Sequence, residues 1–229
     1  MSTYKRLPRG KQKPHDEFVD WTMHALIWIK QNWQTAVEIV IVAGVALGIW
    51  MGASAYWQYR SNAAAQGLYA AGKLEAGSDA QLKKLEDVVS RYARTPAGQS
   101  AMMQLGDLYL SKKEFDKAIE EFRRLSGKSR HHPILMIAAL HKLAQAFEAK
   151  GDLKMAAETY LKAAANPGNL VSLVSRFHAA DCLEKDGNAN EASALYRQII
   201  SEAKDDDRAV REASEERLIW LIANNRIEG

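Results

Sequence analysis

Three times in this chain an alanine is followed four residues later by an aromatic ring: Ala118 and Phe122, Ala156 and Tyr160, Ala192 and Tyr196. Successive alanines lie 38 and 36 residues apart. Thirteen residues before each alanine stands a second signature: Leu105-Gly106 with Tyr109, Leu143-Ala144 with Phe147, and Ala179-Ala180 with Leu183. Self-similarity at a period of roughly 20 to 50 residues restricts the fold strongly, because each unit leaves an apolar face that only a neighbouring unit can cover. Residues four apart share one side of a helix. Small residues then let two helices approach where they cross, and the rings fill the space between successive hairpins. The five prolines and fourteen glycines are few for 229 residues, whereas Ala, Leu, Glu and Lys are many, a mix that favours helix. The expected fold class is all-α, a solenoid of helical hairpins.

The pattern resembles that of the tetratricopeptide family, whose unit of about 34 residues carries a large apolar residue, Leu-Gly, an aromatic, then Ala, an aromatic and a further Ala. The resemblance places repeats at about 99–132, 137–170 and 173–206 within a domain covering 61–229. Leu125 stands where the third small residue of the first unit is expected, and Leu183 and Ile199 make the third unit the most divergent. Connectors are expected at Gly127 to Pro133 and Asn166 to Asn169, with tight turns at Gly151-Asp152 and Gly187-Asn188. Tyr69 to Tyr92, closed by Thr95-Pro96, reads as a leading hairpin. Residues 209–223, with Leu218, Trp220, Leu221 and Ile222, read as a helix capping the open end, after a solvated Asp205-Asp206-Asp207.

From Ile39 to Trp57 the chain holds nineteen residues without a charge. As helix they rise about 28 Å, enough for a hydrocarbon core of roughly 30 Å. Trp33 near one end, and Trp50, Tyr56 and Trp57 near the other, suit the two interfaces. The 38 residues ahead of the run exceed a charged n-region and the run exceeds an h-region, so Ala53-Ser54-Ala55 reads as part of a retained anchor and not as a cleavage site. Gly44, Gly48 and Gly52 form a small-residue row at which another membrane helix can pack. Lys5, Arg6, Arg9, Lys11, Lys13 and Lys30 precede the run, which orients residues 1–38 to the cytoplasm and the repeat domain to the other side, in a bacterium the periplasm. Asp16 to Trp33 reads as an amphipathic helix that either lies in the cytoplasmic interface or extends the span.

No phosphate loop, Gly-x-Ser-x-Gly, His-Glu-x-x-His or paired-cysteine motif occurs, so binding and not catalysis is expected, with no cofactor and no metal. His131-His132 reads as an exposed connector pair. His178 and Cys182, four apart on a helix, supply too few ligands for zinc. Cys182 reads as a buried, inert thiol. A net charge of +3 is too small for a phosphate-neutralising surface, which excludes nucleic acid as a main partner.

What remains is a surface. In tetratricopeptide stacks the first helix of each hairpin lines the concave face, which by resemblance assigns Met103, Asp107, His141, Gln145, Glu148, Phe177, Asp181 and Glu184 to a partner-binding groove. An acidic groove with Met103 and Phe177 exposed suits an extended or helical segment of basic and apolar character. The order of parts, with the Asn32 to Gly52 entry into the span, Trp57, and Ala63-Ala64-Ala65 after it, resembles the YfgM-like ancillary subunits of the SecYEG translocon. That resemblance implies a bacterial inner-membrane protein acting beside the secretion channel, with translocon subunits, a periplasmic chaperone and emerging polypeptides as partners. An envelope scaffold for cell division or outer-membrane assembly would use the same architecture.

Overall fold

The computed structural model describes residues 17–166, 172–224 and 226–227, with side chains from residue 21 onward. Among the described residues the structure is all helical, with no strand. It separates into two compact units, Met1–Trp57 and Gln58–Gly229.

In the first unit, α1 (Glu17–Gln31) is followed by α2 (Trp33–Gly72), which runs on into the second. Asn32 divides them. Its backbone N–H donates to Trp28 O at 2.8 Å and its carbonyl accepts from Ala36 N at 2.9 Å, so one residue closes the first helix and opens the next. The Asn32 side-chain amide also donates to Trp28 O, at 3.1 Å. Of the expected helix from Asp16 to Trp33, Glu17–Gln31 form a helix separated at Asn32 from α2, to which Trp33 belongs, and Asp16 lies outside the described residues. α2 carries an 18-residue stretch of mean hydropathy 2.1 and is long and apolar enough to cross a membrane. Lys5, Arg6, Arg9, Lys11 and Lys13, which carried the expected orientation, lie outside the described residues.

The second unit contains α3 (Asp79–Tyr92), α4 (Pro96–Ser111), α5 (Phe115–Lys128), α6 (Pro133–Lys150), α7 (Leu153–Ala164), α8 (Ser172–Lys185), α9 (Ala189–Glu202) and α10 (Arg208–Ala223). Each helix from α4 onward packs on the one before it. The alanine and ring pairs of the sequence pattern fall on α5, α7 and α9 and are buried: Ala118, Phe122, Ala156, Ala192 and Tyr196 have no exposed surface and Tyr160 has 1%. Gly106 of α4 explains why the first unit needs a residue without a side chain. A Cβ there would meet Phe122 Cε1 at 2.5 Å.

Helix ends are set by local chemistry. Pro96 occupies the first turn of α4, where a missing N–H is harmless, and Thr95 Oγ1 accepts from Gly98 N at 3.1 Å. The turns at Gly151 and Gly187 have φ of +90° and +89°. In both, the N–H of the following residue reaches back five positions, Asp152 to Phe147 O and Asn188 to Leu183 O, each at 2.9 Å. The equivalent turn of the first hairpin uses Lys113 at φ 60°, with Glu114 N bonded to Tyr109 O at 2.8 Å. The helix α5 runs past Gly127 to Lys128, so the expected connector shortens to residues 129–132. Of the second connector only Asn166 is described. On α10, Leu221 is fully buried and Leu218 packs against the core, whereas Trp220 and Ile222 are exposed.

Candidate functional site

The helices α4, α6, α8 and α10 come together along one side of the second unit, and charged side chains link each to the next. Asp107 of α4 meets Lys142 of α6, Nζ to Oδ1 at 2.8 Å. Glu148 of α6 meets Lys185 of α8 at 2.8 Å, and Lys185 also holds Asp181 at 2.8 Å. These bonds, to Asp181 first and to Glu148 second, hold the Lys185 ammonium above its usual pKa. From α10, Arg217 donates through Nε to Glu184 Oε2 at 3.1 Å and through Nη2 to Glu184 Oε1 at 2.5 Å, a two-pronged pairing that suits the planar guanidinium. The Tyr196 hydroxyl donates to Glu184 Oε2 at 3.2 Å.

Beneath these pairs runs a row of rings. His141 stands edge-on to Tyr160 at 5.5 Å between centroids, Tyr160 stacks on His178 at 5.2 Å, and Phe177 contacts both His178 and Tyr196, at 6.1 and 5.7 Å. His141 Nε2 lies 2.7 Å from Ser175 Oγ, tying α6 to α8. Burial lowers the His141 pKa, and the neighbouring His178 adds to the effect. Burial likewise raises the phenols of Tyr160 and Tyr196, assisted by Glu148 and Glu184 respectively. The Cys182 thiol, also buried, is pushed up to about 12, which leaves it un-ionised and unreactive at neutral pH.

Residues 27–212 match the model of the tetratricopeptide repeat-like domain. The chain belongs to that family. The matched segment takes in the apolar helix as well as the hairpins. No curated protein matches. Among solved structures, the nearly identical TPR-like repeats of a Podosopora anserina protein described as a putative kinesin light chain superpose with a TM-score of 0.51 at 20% identity, covering 73% of this chain and 86% of that one. A single-substitution variant of those repeats gives the same score and identity, covering 73% and 85%. At that identity the likeness is one of fold.

Against this tetratricopeptide repeat-like framework the expected groove residues divide. Asp107, Glu148 and Asp181 lie half-buried on the face of first helices, beside the half-buried His141 and the exposed Gln145. Glu184 differs, being 8% exposed and enclosed by Arg217 and Tyr196. Met103 and Phe177, expected to be exposed, are half-buried and packed on the core. The acidic groove is thus largely neutralised, because Lys142, Lys185 and Arg217 lie against its four carboxylates. The pairs between hairpins join residues 33 to 37 positions apart and escaped the reading of single helices. One signal was present in the sequence: Glu148 and Glu184 each precede a buried tyrosine by twelve residues, whereas the equivalent pair in the first hairpin is Leu110 and Phe122. A ring with a hydroxyl comes with an acceptor, and a ring without one does not.

Gly44, Gly48 and Gly52 lie four apart on α2, and a Cβ built at each would meet nothing within 4 Å. Among the described residues no three His, Cys, Asp or Glu side chains are grouped to hold a metal ion. Outside this face, Glu121 is 8% exposed, paired through Oε1 to Arg124 at 2.5 Å, with Oε2 lacking a hydrogen-bond partner.

Proposed function

We propose that the chain is a membrane-anchored adaptor of the bacterial inner membrane whose face of first helices holds protein segments beside the SecYEG translocon. Domains of this family mediate protein–protein interaction. The observation that carries the finer reading is that the family match runs from residue 27 to residue 212, so an apolar helix able to span a membrane and a stack of binding hairpins belong to one layout. Together with the resemblance of that layout to the YfgM-like subunits, it supports a cytoplasmic N-terminus and a periplasmic repeat domain. Its partners would be translocon subunits, a periplasmic chaperone and polypeptides emerging from the channel. The role is binding and not catalysis.

The partner segment is one that competes with the internal ion pairs. Lys142 and Lys185 are within reach of acidic side chains, and Asp107, Glu148 and Asp181 within reach of basic ones. Affinity then comes from exchanging partners along the face, with Phe177 and Val174 adding apolar area. Purification of the full-length chain from membranes in mild detergent tests the reading. Translocon subunits should accompany it well above the level recovered with an unrelated anchored protein. Their absence, with division or outer-membrane assembly proteins present instead, would replace the secretion reading with that of an envelope scaffold.

A further inference from the structure

On α1, six apolar side chains within nine positions are open to solvent: Trp21, Met23, Leu26, Ile27, Trp28 and Ile29 are between 45% and 69% exposed. Single exposed apolar residues are ordinary on a protein surface, but a concentration of this kind marks a surface with a partner. His24 and Gln31, seven apart, lie on one side of the helix with Ile27 and Trp28 between them, Leu26 and Ile29 lie on the opposite side, and Lys30 closes the helix.

We propose that α1 lies along the cytoplasmic surface of the membrane, with its apolar side sunk to the boundary between lipid headgroups and acyl chains. The inference rests on α2 being the membrane anchor. Continuity then supplies the first argument, since only Asn32 separates α1 from the helix that enters the bilayer. Length supplies the second. The uncharged run 39–57 already rises about 28 Å and fills a core of roughly 30 Å. Making α1 part of the span would add about 22 Å more and would draw Lys30 into hydrocarbon. Turning at Asn32 instead lets the side with Leu26 and Ile29 meet lipid while the side with His24 and Gln31 faces water. Charge complementarity is the third argument. Five Lys or Arg among residues 1–16, with Lys30, match the anionic headgroups of a cytoplasmic leaflet. An anchor with such an elbow fixes the rotation and depth of α2, and with it the direction in which the Gly44, Gly48 and Gly52 row faces.

Site-directed spin labelling of the full-length chain tests this, in vesicles of phosphatidylcholine with one quarter phosphatidylglycerol. Nitroxides are placed singly at positions 24, 26, 29, 31 and 45 in a C182A background, and collision with oxygen is compared with collision with a water-soluble nickel complex. Labels at 26 and 29 should favour oxygen several-fold over labels at 24 and 31, at a shared shallow depth, while the label at 45 lies deep. Labels at 26 and 29 as open to nickel as those at 24 and 31 would put α1 in water and overturn the proposal. Depth increasing steadily from 26 through 29 towards 45 would overturn it too, by making α1 part of the span. Protection of 26 and 29 from both reagents would assign the face to a protein instead of lipid, either a second copy or another subunit. Nickel access at 45 would remove the anchor on which the inference rests.

Discussion

A carboxylate with 8% exposure loses most of its water, and at Glu184 Arg217 on both oxygens and Tyr196 on one replace it. Removing Glu184 leaves the Arg217 guanidinium only its longer contact to Asp181, at 3.8 Å, and takes the acceptor from a buried phenol. E184A should destabilise the chain by about 2–3 kcal/mol, below the about 3–5 kcal/mol of a fully buried pair because the Arg217 side chain is 37% exposed. Asp107 is another carboxylate of the same face, yet it is 42% exposed against a Lys142 that is 37% exposed, and D107N should cost less than about 1 kcal/mol. Urea melts of the two variants in detergent micelles would compare them; equal losses would contradict the assigned burial. His141 adds a pH dependence. Its folded pKa is lowered, so the folded state resists protonation that the unfolded chain accepts near pH 6.5. Its contribution is complete above that value and is lost as pH falls through the folded pKa. The midpoint of unfolding should therefore drop as pH falls below about 6.5, and H141Q should flatten that part of the profile. An unchanged slope in H141Q would assign the acid sensitivity to other groups.

At the scale of elements, the three hairpin turns form a natural comparison. Lys113, Gly151 and Gly187 recur at the repeat period and all adopt positive φ, but a side chain in that region costs about 1–2 kcal/mol that glycine avoids. K113G should raise stability by about 0.5–1 kcal/mol after the entropy of a freer unfolded chain is set against it, and G151A or G187A should lower it by a similar amount. Thermal melts that rank K113G below the parent would show that Lys113 makes a compensating contact. G106A separates two effects of opposite sign. Helix propensity favours alanine by about 1 kcal/mol, while the Cβ would press on Phe122, which has no exposed surface into which to retreat. Overpacking should win, for a net loss of about 1–2 kcal/mol. These elements were legible because their signals are local: Ala-x-x-x-aromatic on one helix face, glycine at a left-handed turn, proline in a first turn. The groove was legible only in outline. A single sequence assigns Asp107, Glu148 and Asp181 to first helices, but which cation answers each depends on how hairpins stack. The burial of Glu184 depends on α10 bringing Arg217 across it. The exposure expected of Phe177 failed for the same reason, because its ring turns towards Tyr196 of the next helix.

For the whole molecule, the proposed function joins an anchor to a binding face, and the two make separable predictions. Topology comes first: a cysteine label at His131, which is exposed in the connector before α6, should react with a membrane-impermeant reagent from the periplasmic side in a C182A chain. The neighbouring Ser129 has no exposed surface and would give no answer. Reaction at 131 only after the inner membrane is opened would reverse the orientation. Tethering then changes what a weak contact can do, since a partner in the same membrane is met at an effective concentration far above its bulk value. The ion pairs along α4, α6, α8 and α10 imply such a weak contact, because a partner must displace Lys142 or Lys185 before it gains a carboxylate. If the Gly44, Gly48 and Gly52 row packs against a channel helix, replacing all three by leucine should leave the chain in the membrane yet lower its recovery with translocon subunits several-fold. Charge reversal at Asp107 and Glu148 should lower it by a similar factor through the other unit, and the combined variant should fall by about the product of the two, as expected of contacts made by one tethered molecule. Recovery unaffected by leucine at all three glycines would confine recognition to the hairpins and reduce α2 to an anchor alone.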